Sequence, residues 1–304
     1  MATLRQIDGH EVRTLDSDTL VGRSSACSLR LKASDVSKEH AALNWTGEQW
    51  TIRDLNSRNG TFVDGRRLGS GERGIIAAGT QLGFGTSERW VCSDASPPQL
   101  SATTADDQEP IIVSGQQSLA IYAGEELLAS VSRDIQGRWV LEREEEVTYV
   151  RSGETHSIGG RPWQLRLPEV SATTDVSDGV RTVTATRLRL LVAEDGTVHA
   201  QAHVQGEVID LRRRGHHALL LGLARLRKAD QAAGKSDFDA GWINYRKLQD
   251  LLDCTRNLIN VNVHRARKQF EEHEFIDAGC LIERKQHTGK LRLGVSEVEI
   301  LSES

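Results

Sequence analysis

The stretch Ser37–Gly65, SKEHAALNWTGEQWTIRDLNSRNGTFVDG, decides how the first third of the chain is read. Ser37 stands just before His40, and Asn59-Gly60-Thr61 follows about twenty residues on. A serine beside a histidine is either a catalytic dyad or part of a binding loop. A dyad needs an orienting acid and an oxyanion hole, and no nucleophile elbow surrounds Ser37. The surroundings instead read as short strands. Thr19-Leu20-Val21, Ala41-Ala42-Leu43, Trp50-Thr51-Ile52, Thr61-Phe62-Val63, Gly74-Ile75-Ile76, Gln81-Leu82-Gly83-Phe84 and Trp90-Val91-Cys92 are apolar or β-branched clusters. Gly, Asn, Asp and Ser punctuate them at the spacing of an all-β sandwich.

Within that sandwich the motif residues suit an anion. A phosphate dianion is best held by charge-assisted donors. Arg23 offers a guanidinium, Ser37 a hydroxyl, and Lys38 an ammonium or a backbone N–H. Arg58 and Asn59 flank a glycine that permits a tight turn. Loops at one end of a rigid sandwich can bring these groups together.

Gly22-Arg23, Ser37-Lys38-Glu39-His40 and Asn56–Gly65 occur in that order. Together they resemble the forkhead-associated (FHA) family over roughly residues 1–92. The resemblance implies phosphothreonine binding. Arg23 and Ser37 would contact the phosphate, Lys38 and Arg58 would line the peptide surface, and Asn59 would hold the peptide backbone. It also implies that Gly22, His40, Gly60 and Thr61 are architectural. Asp64 departs from the family's commoner asparagine, at a turn position where the change should matter little.

The 304 residues allow two or three domains. Net charge is −5, but unevenly spread. Residues 1–180 carry 18 Lys+Arg against 26 Asp+Glu, a net −8, while 181–304 carry 20 against 17, a net +3, with seven of the ten histidines. The C-terminal part is thus the one suited to a polyanion. No apolar run approaches membrane-spanning length, and no secretion signal precedes the first strand. Cys27, Cys92, Cys254 and Cys280 lack C-x-x-C spacing, so reduced thiols in a cytoplasmic protein are expected, with no metal site and no cofactor.

Residues 96–110 and 171–180 read as polar linkers, and both contain Ser-Ala-Thr-Thr. Between them, 111–170 reads as a small β-rich segment. Gln49-Trp50-Thr51-Ile52 is echoed by Arg138-Trp139-Val140-Leu141, and Thr61-Phe62-Val63 by Thr148-Tyr149-Val150. A degenerate second FHA-like module without its ligand loop and a generic small β domain both fit. The linker threonines Thr103, Thr104, Thr173 and Thr174 are candidates for phosphorylation and docking into Arg23 and Ser37 of the same or a partner chain.

After Gly179, three strands give way to helical periodicity, with Asn244 as an N-cap and a closing hairpin through Thr288-Gly289. Val208–Leu211 leading to Ala218-Leu219-Leu220, Gly241–Leu248, and Ile259–Lys268 resemble the winged-helix effector domain of OmpR/PhoB-type response regulators. With Val263, Ala266 and Phe270 inward, Asn260, His264, Arg267 and Lys268 can face out toward a DNA major groove, with Arg265 beside them. Arg284, Lys285 and Lys290 would contact DNA from the wing. The wing lacks the family's usual aromatic, and +3 is modest for a DNA binder. Arg212-Arg213-Arg214 is expected at a solvated helix start.

The expectation is therefore multidomain: FHA sandwich 1–95, linker 96–110, β-rich segment 111–170, linker 171–180, and an α+β winged helix-turn-helix 181–304. Such a chain would be a phosphothreonine-dependent transcriptional regulator without catalytic residues. Its partners would be a Thr-phosphorylated protein, a Ser/Thr kinase, double-stranded DNA, and a second copy in a homodimer, with no membrane. The alternative is a phosphopeptide adaptor whose winged helix contacts protein.

Overall fold

The computed structural model describes residues 2–69, 71–104, 112–113, 117–143, 146–168, 180–285 and 288–302. The chain divides into two compact units: the residues up to Gln99, and Leu100–Leu167 with the segment from residue 180 onward.

The first unit is a β-sandwich. One sheet runs, in spatial order, Val12–Thr14, Thr3–Gln6, Glu88–Asp94, Gln81–Phe84, Thr61–Val63, Arg66–Arg67. The other runs Leu29–Arg30, Asp18–Gly22, Ala41–Trp45, Trp50–Asp54, Arg73–Ile76. Alternate residues turn inward, as period-two strands require. Leu4, Val21, Leu43, Trp50, Ile52, Leu82, Phe84 and Trp90 form a core sealed from water. Trp50 keeps its indole N–H satisfied by donating to the Ser96 carbonyl at 3.1 Å.

The second unit begins with a smaller sandwich. Ser101–Thr104 is a strand, paired with Ile112–Val113 and Arg161–Arg166. The expected linker 96–110 is corrected accordingly. Thr103 and Thr104 pair with Gln164 and Trp163 and are half-buried, so they are ladder residues rather than exposed phosphoacceptors. Thr173 and Thr174 lie outside the described residues.

The two sheets of this sandwich run Ile112–Val113, Ser101–Thr104, Arg161–Arg166, Thr155–Ile158, and Ser118–Ala123, Glu126–Arg133, Trp139–Arg143, Glu146–Tyr149. Its own core includes Leu119, Ile121, Val131, Leu141, Trp163 and Leu165. Among the described residues, the strand order repeats that of the first unit with three strands left out. In each sandwich the first strand pairs with the second and the last, and Gln6 opposite Trp90 matches Thr104 opposite Trp163. Trp50 opens the fourth strand of the other sheet and Trp139 the third of its counterpart, the place differing by the Leu29–Arg30 strand. The omitted strands match Leu29–Arg30, Thr61–Val63 and Arg66–Arg67. One expected echo therefore shifts: Glu146–Tyr149 takes the place of Arg73–Ile76, not of Thr61–Val63, because it pairs beside Trp139–Arg143.

The remainder carries the chain's helices: α1 (His217–Ala232), α2 (Tyr245–Leu252) and α3 (Arg256–Glu272). A four-stranded sheet, Glu207–Arg213, Val198–Val204, Arg187–Val192 and Glu297–Ser302, precedes and closes them. Asn244 caps α2 as expected, its Oδ1 accepting from the Lys247 N–H at 2.9 Å, and Thr255 caps α3 through the Leu258 N–H. Ile259, Val263, Ala266 and Phe270 of α3 pack on Leu220, Leu223 and Leu248. Ile282–Lys285 and Lys290–Leu293 form the expected hairpin. Arg212 and Arg213 end a strand rather than start a helix, Arg212 with φ +58°. No helix among the described residues is long and apolar enough to cross a membrane.

Candidate functional site

At one end of the first sandwich, four loops are tied together by a short chain of hydrogen bonds. His40, fully buried, is the hub. Its Nδ1 accepts the Ser37 backbone N–H at 3.1 Å, so Nε2 must carry the proton, and it donates to the Gly60 carbonyl at 3.1 Å. Burial lowers the imidazole's pKa, favouring this neutral tautomer. Both ring nitrogens are thereby spent on backbone groups, so His40 cannot deprotonate Ser37. The opening pair braces two loops; it does not perform acid–base chemistry.

Ser37 is itself held from two sides. Its carbonyl accepts the Arg23 N–H at 2.9 Å, and its Oγ accepts the Arg58 N–H at 3.0 Å. Arg23, Lys38 and Arg58 expose their side chains around it. Gly22 is obligatory here: the backbone of Lys38 and the Cys27 sulfur occupy the space a Cβ would need. Gly60 turns with φ +87°, a conformation that favours glycine. Asn59 is half-buried and donates from Nδ2 to the Asp35 carbonyl at 2.7 Å, which fixes the orientation of its carboxamide. Asp64 sits in a turn at φ +49°, its Oδ1 accepting from the Gln81 N–H.

Two carboxylates that the motifs did not single out complete the brace. Asp35 accepts from the hydroxyls and backbone N–H groups of Thr86 and Ser87, at 2.6–2.9 Å. These bonds, the Ser87 hydroxyl foremost, hold its carboxyl well below the usual range. Asp54 accepts from Ser57 and from the Thr61 hydroxyl, both at 2.6 Å through Oδ1. Burial alone would raise its pKa, but these bonds outweigh it. An acid two residues before Ser37, in the Ser-Asp-Val-Ser run, was the available signal for Asp35.

The expected DNA contacts divide sharply. Arg265, Lys268, Lys285 and Lys290 are exposed. Asn260, His264 and Arg267 are buried, and the Arg284 side chain is only 5% exposed. For these four, the expected outward orientation is corrected: they face the smaller sandwich or the hairpin. Arg267 donates to both carboxylate oxygens of Glu142, at 2.8 and 3.0 Å, and Arg284 Nε lies 3.1 Å from the same carboxylate. Asn260 Oδ1 accepts from the Tyr245 hydroxyl and from Arg284. His264 lies edge-on to Tyr122.

The FHA domain profile matches residues 19–85, which contain every residue of the braced rim except Thr86 and Ser87. Residues 19–85 are an FHA domain, a module of phosphothreonine-dependent protein interaction in signalling, and the match indicates no catalytic family. The FHA domain-containing protein FhaB of Mycobacterium tuberculosis is 29% identical over 77 residues, 25% of this chain and 50% of that protein. FhaB of Mycolicibacterium smegmatis is 29% identical over 75 residues, 25% of this chain and 48% of its own length. The chain thus spans about half the length of the curated relatives it matches. Among solved structures, Mycobacterium tuberculosis EmbR in complex with a low-affinity phosphopeptide aligns at 25% identity and a TM-score of 0.29, covering 31% of this chain and 24% of EmbR.

Proposed function

We propose that this chain is a phosphothreonine-dependent transcriptional regulator. The Arg23 and Ser37 groups hold the phosphate, Lys38 and Arg58 line the peptide, and Asn59 holds its backbone. One observation carries the phosphopeptide half: the Ser37 hydroxyl and the cations of Arg23, Lys38 and Arg58 share a rim whose loops are pre-tied through His40, so binding need not order them. Titration of a phosphothreonine peptide with aspartate at the third position after it tests this. Binding absent for the unphosphorylated peptide and lost in Arg23→Ala supports the assignment; equal binding of both peptides sinks it.

The C-terminal helices and hairpin are read as a winged helix, with α3 as recognition helix. Arg214, Arg265 and Lys268 line one open groove along α3, which suits a polyanion. A steep loss of DNA affinity with salt is the signature of such contacts. The smaller sandwich is read as a second FHA-like module, because its strand order is that of the first sandwich without the strands flanking the ligand loops. The adaptor reading draws support from a different observation: much of α3 and Arg284 already contact protein, namely this second sandwich.

A further inference from the structure

The groups best suited to reading DNA are the ones withdrawn from solvent. Asn260, His264 and Arg267 occupy the side of α3 adjacent to its apolar stripe, and the strands Ser118–Ala123, Glu126–Arg133 and Trp139–Arg143 lie over that side. Glu142, itself 4% exposed, takes bidentate hydrogen bonds from Arg267 and the charge of Arg284. A carboxylate clamped by two arginines presents them with the geometry of a phosphate. Around this pair the contacts are polar. The Gln117 N–H and Ser118 hydroxyl donate to Glu271 at 2.9 and 2.7 Å, and the Leu127 N–H donates to Asn257 at 3.1 Å.

This interface is less apolar than the two cores beside it. The second sandwich and the helices each have a separate apolar core. Between them the apolar contact includes a small cluster of Ala120, Leu127 and Val261. A cavity of about 280 Å³, lined by Ser132, Val140, Tyr149, Trp242, Arg267 and Arg284 among others, opens beside the ion pair. Permanent interiors are close-packed, and a buried ion pair is a weak way to gain stability over apolar residues of the same volume. A polar, imperfectly packed contact is the kind that permits relative movement.

We propose that the second sandwich is an autoinhibitory cap, with Glu142 standing in for a DNA phosphate on Arg267 and Arg284. The proposal rests on the winged-helix reading above. Having lost the strands beside the phosphopeptide loops, this sandwich uses the face of its sheet to cover α3. DNA and the cap compete for the same arginines, so displacing the cap uncovers the reading surface.

The test uses the full chain and changes only the cap. Wild type, Glu142→Gln and Leu127→Glu are compared by fluorescence anisotropy with a labelled duplex pool of randomised sequence, at low and high salt. Amide exchange of α3 reports opening, and Leu127→Glu carries the test should Glu142→Gln fold poorly. The cap predicts faster α3 exchange and binding tightened by about ten-fold or more in the variants, lost steeply with salt. Equal DNA affinity of wild type and variants, with α3 exposed in the variants, removes the cap and keeps the DNA reading. No binding by any form, with α3 exposed, overturns the DNA reading and the cap with it. Unchanged α3 exchange in both variants, each confirmed folded, shows that the cover is not displaced by breaking its contacts and overturns the cap alone.

Discussion

The two sandwiches share a strand order and differ in what their ends and faces do. The first keeps the segments around Leu29–Arg30 and Thr61–Arg67, and it is there that its loops meet through His40, Asp35 and Asp54. Among the described residues the second lacks them, and it turns a sheet face that carries Glu142 toward α3. The same scaffold thus supports a binding rim made of loops or a packing surface made of strands. Sheet order sets the core; the insertions set the use.

The largest effect that would sharpen this contrast is at the second sandwich. Glu142→Gln leaves Arg267 and Arg284 buried without a counter-charge, a change that costs about 3–5 kcal/mol. Denaturant unfolding should show that loss in the second unit, while phosphopeptide affinity stays unchanged. At the first sandwich, His40→Ala strands the Ser37 N–H and the Gly60 carbonyl. At about 1–3 kcal/mol for each unsatisfied group, it should lower both the stability and the peptide affinity of the first unit. Arg23→Ala should separate those two quantities. The lost charge-assisted bond is worth about 1.5–3 kcal/mol of binding, measurable by calorimetry, with the melting temperature of the free protein little moved.

Acid offers a gentler probe of the same contrast. His264 and His216 are both brought down to about 4 by burial, so they are neutral when folded. The unfolded chain, with histidines near 6.5, binds more protons between those values. Stability of the second unit is therefore full above pH 6.5 and falls as pH drops toward 4. The slope is about 1.4 kcal/mol per pH unit for each histidine. His264 is faced by Arg265, Arg267 and Lys268 on its own helix, and by Glu142 and Tyr122 from the second sandwich. Glu142 adds nothing to this window. Burial would raise its pKa, but Arg267 and Arg284 hold it below the ordinary 4.5, so its contribution is lost only at lower pH. Unfolding curves at pH 8, 7, 6 and 5, in steps of about one unit, check the slope. The smallest change should come from Asp64→Asn: asparagine tolerates positive φ and its Oδ1 can accept from Gln81, so stability should stay within about 0.5 kcal/mol.

Sequence reading succeeded where the chemistry is local. The FHA motif residues lie in loops whose glycines and hydroxyls announce themselves, and the apolar stripe Val263, Ala266, Phe270 gives one face of α3. It failed where a partner is distant. Ser101–Thr104 looks like a linker because Ser and Thr are polar, yet one of its edges is supplied by Arg161–Arg166, far along the chain. Asn260, His264 and Arg267 read as solvent-facing because no pattern within a helix can reveal a second covered side. That cover depends on Glu142, 125 residues before Arg267. A buried arginine is legible only once its acid is placed beside it.

The brace at the first rim has a further consequence. His40 joins the loops through the Ser37 N–H and the Gly60 carbonyl, backbone groups that any residue but proline supplies. The exposed side chains of Arg23, Lys38 and Arg58 therefore carry little of the architecture, which Ser37, Asn59, Asp35 and Asp54 hold together with the backbone. These exposed side chains can be exchanged without re-solving the fold, so binding at this rim can be altered separately from folding.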